Sequence, residues 1–140
     1  MMVVNLATVY LAGKMTGLSE DEINGWREEA RAFLQDNGFK VLNPADNPYR
    51  FDPEVTPKEI VANNKYQIDH SDIILAELDH LAISHGTNAE IVYAGVLGKP
   101  VIVWGRNEEI AATPWIAEHT TRRFIELQDA LEYIVCNWGL

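Results

Sequence analysis

Cysteine is nearly absent from this sequence, and long apolar runs are absent altogether. Cys136 is the single cysteine among 140 residues, so no internal disulfide can form, which is usual for proteins of a reducing cytoplasm. No stretch approaches the roughly 20 apolar residues of a membrane span, and the first residues lack the basic leader and cleavage site of a signal peptide. We therefore expect a cytoplasmic protein with no membrane partner.

Positive charge is also scarce, and this limits the partners of the chain. Lys and Arg total 11 against 21 Asp and Glu, which gives a formal net charge of -10. A surface of this sign repels a phosphate backbone, so we expect no nucleic-acid partner. A small anionic ligand is compatible with this charge, because backbone N–H groups bind phosphate in acidic proteins too.

What the sequence does have is the composition and pattern of one α/β domain. It is 47% hydrophobic and 23% charged, which predicts a single domain over residues 1–140 whose core needs no metal and no disulfide. Short apolar runs alternate with helical periodicity, as in parallel sheets with right-handed crossovers. We predict a three-layer α/β/α sandwich of flavodoxin or Rossmann type around a five-stranded parallel sheet. The strands are expected at residues 8–12, 40–42, 72–78, 101–104 and 124–127, and the helices at about 19–37, 56–71, 87–97, 114–118 and the C-terminus.

A proline-rich segment, residues 43–56, separates the second strand from the second helix. Its three prolines predict a long irregular loop, and loops of this length are usually lids or binding loops. Ligands on such sheets bind beyond the carboxyl ends of the strands. We therefore expect the site to combine residues 13–18, the loop before Thr87 and the segment after Trp104.

The first candidate for ligand binding is the turn after the first strand, formed by Gly13, Lys14, Met15, Thr16 and Gly17. Its spacing matches neither the dinucleotide fingerprint nor a P-loop. Its N–H groups and the Thr16 hydroxyl suit a phosphate or a sugar hydroxyl. A plain strand-to-helix turn explains the same residues equally well.

The second candidate is Glu90, the only charged residue between His85 and Lys99. A carboxylate in such an apolar helix loses its water unless it faces a cleft, so it is either paired or functional. Thr87 and Glu90 also have the spacing of a capping box, in which Glu90 only satisfies backbone donors. We favour a functional role, because this turn faces the carboxyl ends of the strands.

The third candidate is Asn64, whose amide shares a helical stripe with Ile60 and Ile68 and must find hydrogen-bond partners. It either ties down a loop, or holds a sugar hydroxyl, or orients Glu90.

Histidine and cysteine give no metal site. The four histidines lack metal-ligand spacing, and the lone cysteine cannot build a zinc site, so we predict no metal and no cofactor. His85 shares a loop with Asp79 and His80, which we interpret as solvated.

Three segments together resemble the nucleoside 2-deoxyribosyltransferase family. They are Tyr10-Leu-Ala-Gly, Asn64 ahead of Ser71-Asp-Ile-Ile-Leu-Ala, and Gly86-Thr-Asn-Ala-Glu-Ile-Val-Tyr-Ala with Leu-Gly-Lys-Pro-Val after it. The resemblance covers most of residues 8–104, and the last segment is its specific part. Residues 12–46 are also similar to small phage-type proteins of the same superfamily.

The resemblance implies that the Glu90 carboxylate attacks the anomeric carbon of a 2'-deoxynucleoside, expels the base and holds the deoxyribosyl group covalently. It also implies that the Tyr10 hydroxyl orients Glu90 and that the turn at residues 13–17 meets the 5' end of the sugar. Ser84, Gly86 and Thr87 are expected to contact the substrate. A lysine at position 14, where relatives often have proline or a small residue, favours a 5'-phosphate.

Two positions differ from many relatives, which carry aspartates where this chain has Asn64 and Ser84. In those relatives the first aspartate assists the departing base as an acid, and an amide cannot donate a proton in that way. Relatives complete their active sites with a neighbouring subunit, so the resemblance also implies a homo-oligomer, at least a dimer.

Several functions are compatible with these residues. We expect transfer of deoxyribose from a nucleoside or its 5'-monophosphate to another free base, a reaction of nucleotide salvage. Hydrolysis of the same N-glycosidic bond is the alternative within the family. Outside it stand a non-catalytic nucleotide-binding module, in which Glu90 caps its helix, and an unrelated α/β hydrolase of cytokinin-like or ribosyl substrates.

Overall fold

The computed structural model describes residues 7–80 and 84–139, and these build a five-stranded parallel sheet. The strand order is β2-β1-β3-β4-β5, the flavodoxin-like order, and each neighbouring pair is parallel. The strands are β1 (Thr8–Ala12), β2 (Lys40–Leu42), β3 (Ile73–Glu77), β4 (Val101–Trp104) and β5 (Arg122–Phe124). The predicted sheet is confirmed.

Helices cover both faces of this sheet. They are α1 (Glu20–Asp36), α2 (Pro57–Asp69), α3 (His85–Val96), α4 (Glu108–Ala111), α5 (Pro114–His119) and α6 (Leu127–Trp138). Buried side chains of α1 and α6 pack on one face, and those of α2, α3 and α5 pack on the other. The three-layer architecture therefore agrees with the prediction. No helix in the described part of the chain is long and apolar enough to cross a bilayer.

Side-chain caps mark the beginning of α1 and α2, the two helices that flank the pocket described below. At α1, the Ser19 hydroxyl accepts from the Glu22 N–H at 3.1 Å, and the Glu22 carboxylate accepts from the Ser19 N–H at 3.1 Å. Thr56 and Glu59 form the same box at α2, with Pro57 at the first helical position. Both helices begin where the sequence predicts.

The central strands are buried on both sides, as their apolar runs predict. Val9 and Leu11 of β1 face α1 and α6, whereas Tyr10 and Ala12 face α2 and α3. Alternation along the strand thus carries the Tyr10 ring into the layer where α3 lies. That ring is fully buried.

Two predicted boundaries are wrong. α3 begins at His85 and not at Thr87, because Ser84 is its N-cap. β5 spans Arg122–Phe124, whereas the predicted strand begins at Phe124 and runs to residue 127. The strand uses Arg122 and Arg123 as edge residues. The Arg122 guanidinium lies 5.4 Å from the Phe124 ring centroid, a cation–π contact on the edge strand.

The proline-rich segment is more ordered than the predicted irregular loop. Pro44–Asp46 and Pro48–Phe51 are 3-10 helices, because each proline occupies a first helical position that needs no N–H. α4 is also absent from the prediction. It is a single turn capped by the Asn107 side chain, which accepts from the Ile110 N–H at 3.1 Å.

Candidate active site

A pocket of about 710 Å³ opens at the carboxyl ends of β1 and β3, where the strand order of the sheet reverses. This volume lies in the usual range for small-molecule sites. The predicted site residues that line it are Gly13, Lys14, Met15, Thr16, Asn64, Ser84, Gly86, Thr87 and Glu90. Gly17 does not line it. With a φ of +83°, Gly17 closes the turn, a conformation that favours glycine.

The prediction for one wall of the pocket is wrong. The segment after Trp104 does not contribute, because β4 lies one strand beyond the β1–β3 crevice and Trp104 packs on the opposite face, edge-on to Trp26. The wall is formed instead by the proline-rich segment and α2, through Tyr49, Arg50, Val55 and Ile60.

Glu90 lies in the second turn of α3, past the helix cap. The cap is Ser84, whose hydroxyl accepts from the Thr87 N–H at 3.2 Å and donates to Thr87 Oγ1 at 2.7 Å. The capping-box interpretation of Glu90 is therefore wrong. Its carboxylate is free of the helix backbone and faces the pocket.

One fixed donor holds that carboxylate, and Asn64 lines the pocket beside it. The Tyr10 hydroxyl donates to Glu90 Oε2 at 2.5 Å. Burial raises the pKa of Glu90 to about 7, although the Tyr10 hydroxyl, the positive charge of Arg27 and the Asn64 side chain act to lower it. Near neutral pH the group therefore exists in both protonation states.

Tyr10 keeps its proton over the whole working range of pH. Burial, followed by the neighbouring charge of Glu90, raises the pKa of its hydroxyl above the ordinary value for tyrosine. The hydroxyl is consequently a fixed donor, and its direction toward Glu90 is set by the packed β1 strand.

Asn64 has one of the roles considered from the sequence, that of tying down a loop. Its Oδ1 accepts a hydrogen bond from the Tyr49 hydroxyl at 2.9 Å, which joins α2 to the proline-rich segment. Asn64 also lines the same pocket as Glu90 and lowers the pKa of that carboxyl.

Arg27 is a buried cation that the sequence reasoning missed. Its guanidinium donates to three oxygens: the Leu11 carbonyl at 2.9 Å, Asn43 Oδ1 at 2.8 Å and the Gly13 carbonyl at 2.8 Å. These bonds fix the end of β1 and the turn that follows it against α1. The signal was present, because Arg27 occupies the core-facing stripe of α1, four residues after Ile23.

Gly13 fits this arrangement because it has no side chain. A Cβ at this position would lie 2.8 Å from the Trp26 ring and 3.2 Å from the Arg27 guanidinium. The close approach lets the backbone of the turn rest directly on α1.

Polar side chains at the pocket mouth form what we call the rim: Lys14, Glu20, Arg50 and His85. Arg50 donates to both Glu20 carboxylate oxygens, at 3.0 and 2.9 Å, and to the Ala45 carbonyl at 2.7 Å. His85 is exposed and lies at the first position of α3, so it lines the pocket and does not sit in the solvated loop that we expected.

Across residues 7–80 and 84–139, no group of three or more His, Cys, Asp and Glu side chains is placed to hold a metal ion. The chemistry available here is that of a desolvated carboxylate beside a neutral donor. A carboxylate of this kind can accept a proton or attack an electrophilic carbon.

The fold and family follow from comparison with known proteins. Solved structures of similar fold include a 2-deoxyribosyltransferase from Bacillus psychrosaccharolyticus, 24% identical, covering 91% of this chain and 92% of its own, with a TM-score of 0.70. A conserved protein from Enterococcus faecalis V583 is 18% identical over 92% and 97%, with a TM-score of 0.72. The CMP N-glycosidase BcmB from Clostridium botulinum is 18% identical over 92% and 98%, with a TM-score of 0.64.

These structural likenesses show the fold, and none of the curated proteins compared with the chain matches its sequence. The sequence profile described as nucleoside 2-deoxyribosyltransferase, in contrast, matches residues 9–127, which is most of the chain. The protein therefore belongs to the nucleoside 2-deoxyribosyltransferase family.

Proposed function

We propose that the protein cleaves the N-glycosidic bond of a 2'-deoxynucleoside, or of its 5'-monophosphate, and transfers the deoxyribosyl group to another base. The observation that carries this proposal is the Glu90 carboxylate, which faces the pocket and is held by the Tyr10 hydroxyl at 2.5 Å. Membership of the family supports the reaction class.

In the first step a Glu90 oxygen forms a bond to C1' of the sugar while the bond from C1' to the base nitrogen breaks. The electron pair of that bond leaves with the base, which takes up a proton from water. In the second step a nitrogen of the acceptor base attacks C1' and releases its proton to water, and Glu90 leaves as a carboxylate. This is the double displacement that retaining glycosidases perform with a carboxylate nucleophile.

Burial favours the first step. The same desolvation that raises the pKa of Glu90 to about 7 disfavours its anion, and ester formation removes that negative charge. Tyr10 and Asn64 keep the carboxylate in one orientation during the attack, which lowers the entropy cost of reaching C1'.

We propose roles for the other predicted site residues from their positions in the pocket. The turn of Gly13, Lys14, Met15 and Thr16 is proposed to meet the 5' end of the sugar, and Gly17 to shape that turn. On the opposite wall, Gly86 is proposed to contact the substrate directly, whereas Ser84 and Thr87 act by fixing the start of α3.

The base has an apolar surface to pack against. Leu18, Ile23, Val55 and Ile60 line the pocket on the side of α1 and α2. A planar nucleobase gains favourable burial against such side chains, while its polar edge remains near the polar groups of the rim.

Hydrolysis of a 5'-monophosphate is the second candidate. The 5'-monophosphate as its substrate is favoured by the cation Lys14 at the rim of a protein with a net charge of -10. A solved structure of the same fold is named as a CMP N-glycosidase. In this reaction water takes the place of the acceptor base.

One experiment separates these functions. The protein is incubated with the four deoxynucleosides and their 5'-monophosphates, with and without free adenine, and the products are separated by chromatography. Formation of a new nucleoside supports transfer, and release of free base in both conditions identifies a hydrolase. Unchanged substrate throughout contradicts the enzymatic proposal and favours a nucleotide-binding module.

We further propose a cytoplasmic homo-oligomer that acts in nucleotide salvage. Trp115 on α5 and Val96 at the end of α3 are 69% and 71% exposed, a surface suited to contact with a second subunit. The Trp138 side chain packs against the core and does not belong to this exposed surface. Sedimentation of the wild type and of Trp115→Ala tests the assembly, and a monomeric wild type contradicts it.

A further inference from the structure

The proline-rich segment is anchored on both sides of Tyr49. Asn47 and Gln67 of α2 exchange two side-chain hydrogen bonds, at 2.9 and 3.4 Å. Arg50 ties the other side of the segment to Glu20 at the start of α1. Two such anchors, two residues before and one residue after Tyr49, leave its ring little freedom to move.

The partner of Tyr49 is an amide with two unlike ends. The Tyr49 hydroxyl donates to Asn64 Oδ1 at 2.9 Å, and a carbonyl oxygen is the only end of the amide that can accept this proton. The NH2 end therefore points away from Tyr49. Asn64 and Glu90 line the same pocket, and Asn64 lowers the pKa of Glu90, as a donor to the carboxylate does. A flipped amide would present Oδ1 to the Glu90 carboxylate, where two acceptors repel.

We propose that Tyr49 is a positioning residue for the nucleophile, which acts by fixing the Asn64 amide so that its N–H group donates to the Glu90 carboxylate. The inference rests on the proposed function insofar as Glu90 is the attacking group. Asn64 then holds the ionised Glu90 carboxylate, because an amide N–H donates to an anion and a second carboxylate cannot.

Asn64 also differs from an aspartate in its electrostatic effect. An aspartate next to Glu90 would place a second negative charge beside it and disfavour its ionisation. Among the residues that the structure describes, the other charged and titratable groups that line the pocket or act on Glu90 are Tyr10 from β1, Arg27 from α1, Tyr49 and Arg50 from the proline-rich segment, and Lys14, Glu20 and His85 from the rim. Arg27 is the cation that acts directly on Glu90.

The test compares wild type, Tyr49→Phe, Asn64→Ala and the double variant. The Glu90 carboxyl is titrated by NMR in protein carrying 13C-labelled glutamate, and the acidic limb of the kcat/KM profile is measured with the substrate that the wild type accepts. Tyr49→Phe is expected to move the Glu90 titration upward by about half a pH unit to one unit. The acidic limb should move with it.

The double variant shows whether Tyr49 acts through Asn64. In the Asn64→Ala background, Tyr49→Phe should cause no further shift, because the amide that it orients is gone. Tyr66→Phe is the matched control: Tyr66 is 64% exposed on α2, stacks on His70 and does not line the pocket, so its loss should leave the titration unchanged.

Three results would overturn the inference. They are an unchanged Glu90 titration in Tyr49→Phe, additive shifts in the double variant, or a raised KM with an unmoved acidic limb, which would make Tyr49 a substrate contact. Melting temperatures of all variants identify a folding defect, and Tyr49→Phe removes only one oxygen. If the wild type cleaves no nucleoside, the proposed function fails, while the NMR titration still decides the role of Tyr49.

Discussion

The floor and the rim of the pocket use charge in opposite ways. The floor consists of Glu90, which lines the pocket, and of Tyr10 and Arg27, which act on Glu90 from β1 and α1 without lining the pocket and are fully buried. The rim pairs Arg50 with a Glu20 side chain that is 57% exposed. A charge in the floor is expensive unless its surroundings are fixed, whereas a rim charge is screened by water.

This difference predicts where function and stability are sensitive. Changes in the floor should alter ionisation and reactivity strongly, because hydrogen bonds and charges act at short range in a medium of low dielectric constant. Changes in the rim should alter mainly the choice of ligand. The predictions below test this contrast.

The largest effect is expected from Glu90→Gln. It keeps the shape of the side chain but removes the nucleophile, so turnover should fall roughly 1000-fold or more. Product formation under substrate saturation measures the loss, and intact-mass spectrometry of quenched wild-type reactions should detect a deoxyribosyl group on the peptide that contains Glu90. Glu118→Gln, on exposed α5 surface, is the matched control. A Glu90→Gln enzyme with normal turnover would rule out the covalent mechanism.

The same substitution should change stability in a pH-dependent way. The pKa of Glu90 is raised from 4.5 to about 7 in the folded protein, so its contribution is fully favourable below pH 4.5 and is lost as pH rises through 7. Relative to wild type, Glu90→Gln should therefore gain on the order of 3 kcal/mol between pH 4.5 and pH 8. Urea denaturation of both proteins across this range measures the difference. A constant difference would mean that the carboxylate is not desolvated.

Tyr10→Phe should have the next largest effect. It removes the hydroxyl that donates to Glu90 at 2.5 Å and leaves the ring in the core. Loss of this donor destabilises the ionised carboxylate, so kcat should fall about 10- to 100-fold at pH 7, and the acidic limb of the rate profile should move to higher pH. Tyr93→Phe, which loses a bond to Asp69 away from the pocket, serves as the control. An unmoved limb would show that Tyr10 does not act on Glu90.

The same contrast explains what could be predicted from the sequence. Strands such as residues 8–12 and 73–77 are buried on both faces, and an apolar run of that length records this burial directly. Glu90 stood out because a lone carboxylate in an apolar helix is costly. The strand that carries Tyr10 and the exceptional position of Glu90 were therefore predictable from local patterns of the sequence.

The rim and the proline-rich segment were harder to predict, since their positions depend on contacts between residues far apart in the chain. Arg50 meets Glu20, and Tyr49 meets Asn64, only because the segment folds back over α1 and α2. Prolines indicate that a helix starts or a strand ends, but they do not specify against which surface the chain then packs. Arg27 was overlooked for another reason, because an arginine on a helix is ordinarily interpreted as exposed.

The smallest effect on stability is expected from Glu20→Gln in the rim. The Arg50–Glu20 pair is partly exposed, so its loss should lower the free energy of unfolding by less than about 1 kcal/mol. Arg50 would keep its bond to the Ala45 carbonyl and become available to an anionic substrate group. We therefore expect the KM of a 5'-monophosphate to fall relative to that of the matching nucleoside, with kcat unchanged. Glu54→Gln, in the same segment but outside the pocket lining, controls for net charge. Equal changes in both KM values would show that Arg50 does not meet the 5' end of the substrate, and the Arg50–Glu20 pair would then have no part in selecting it.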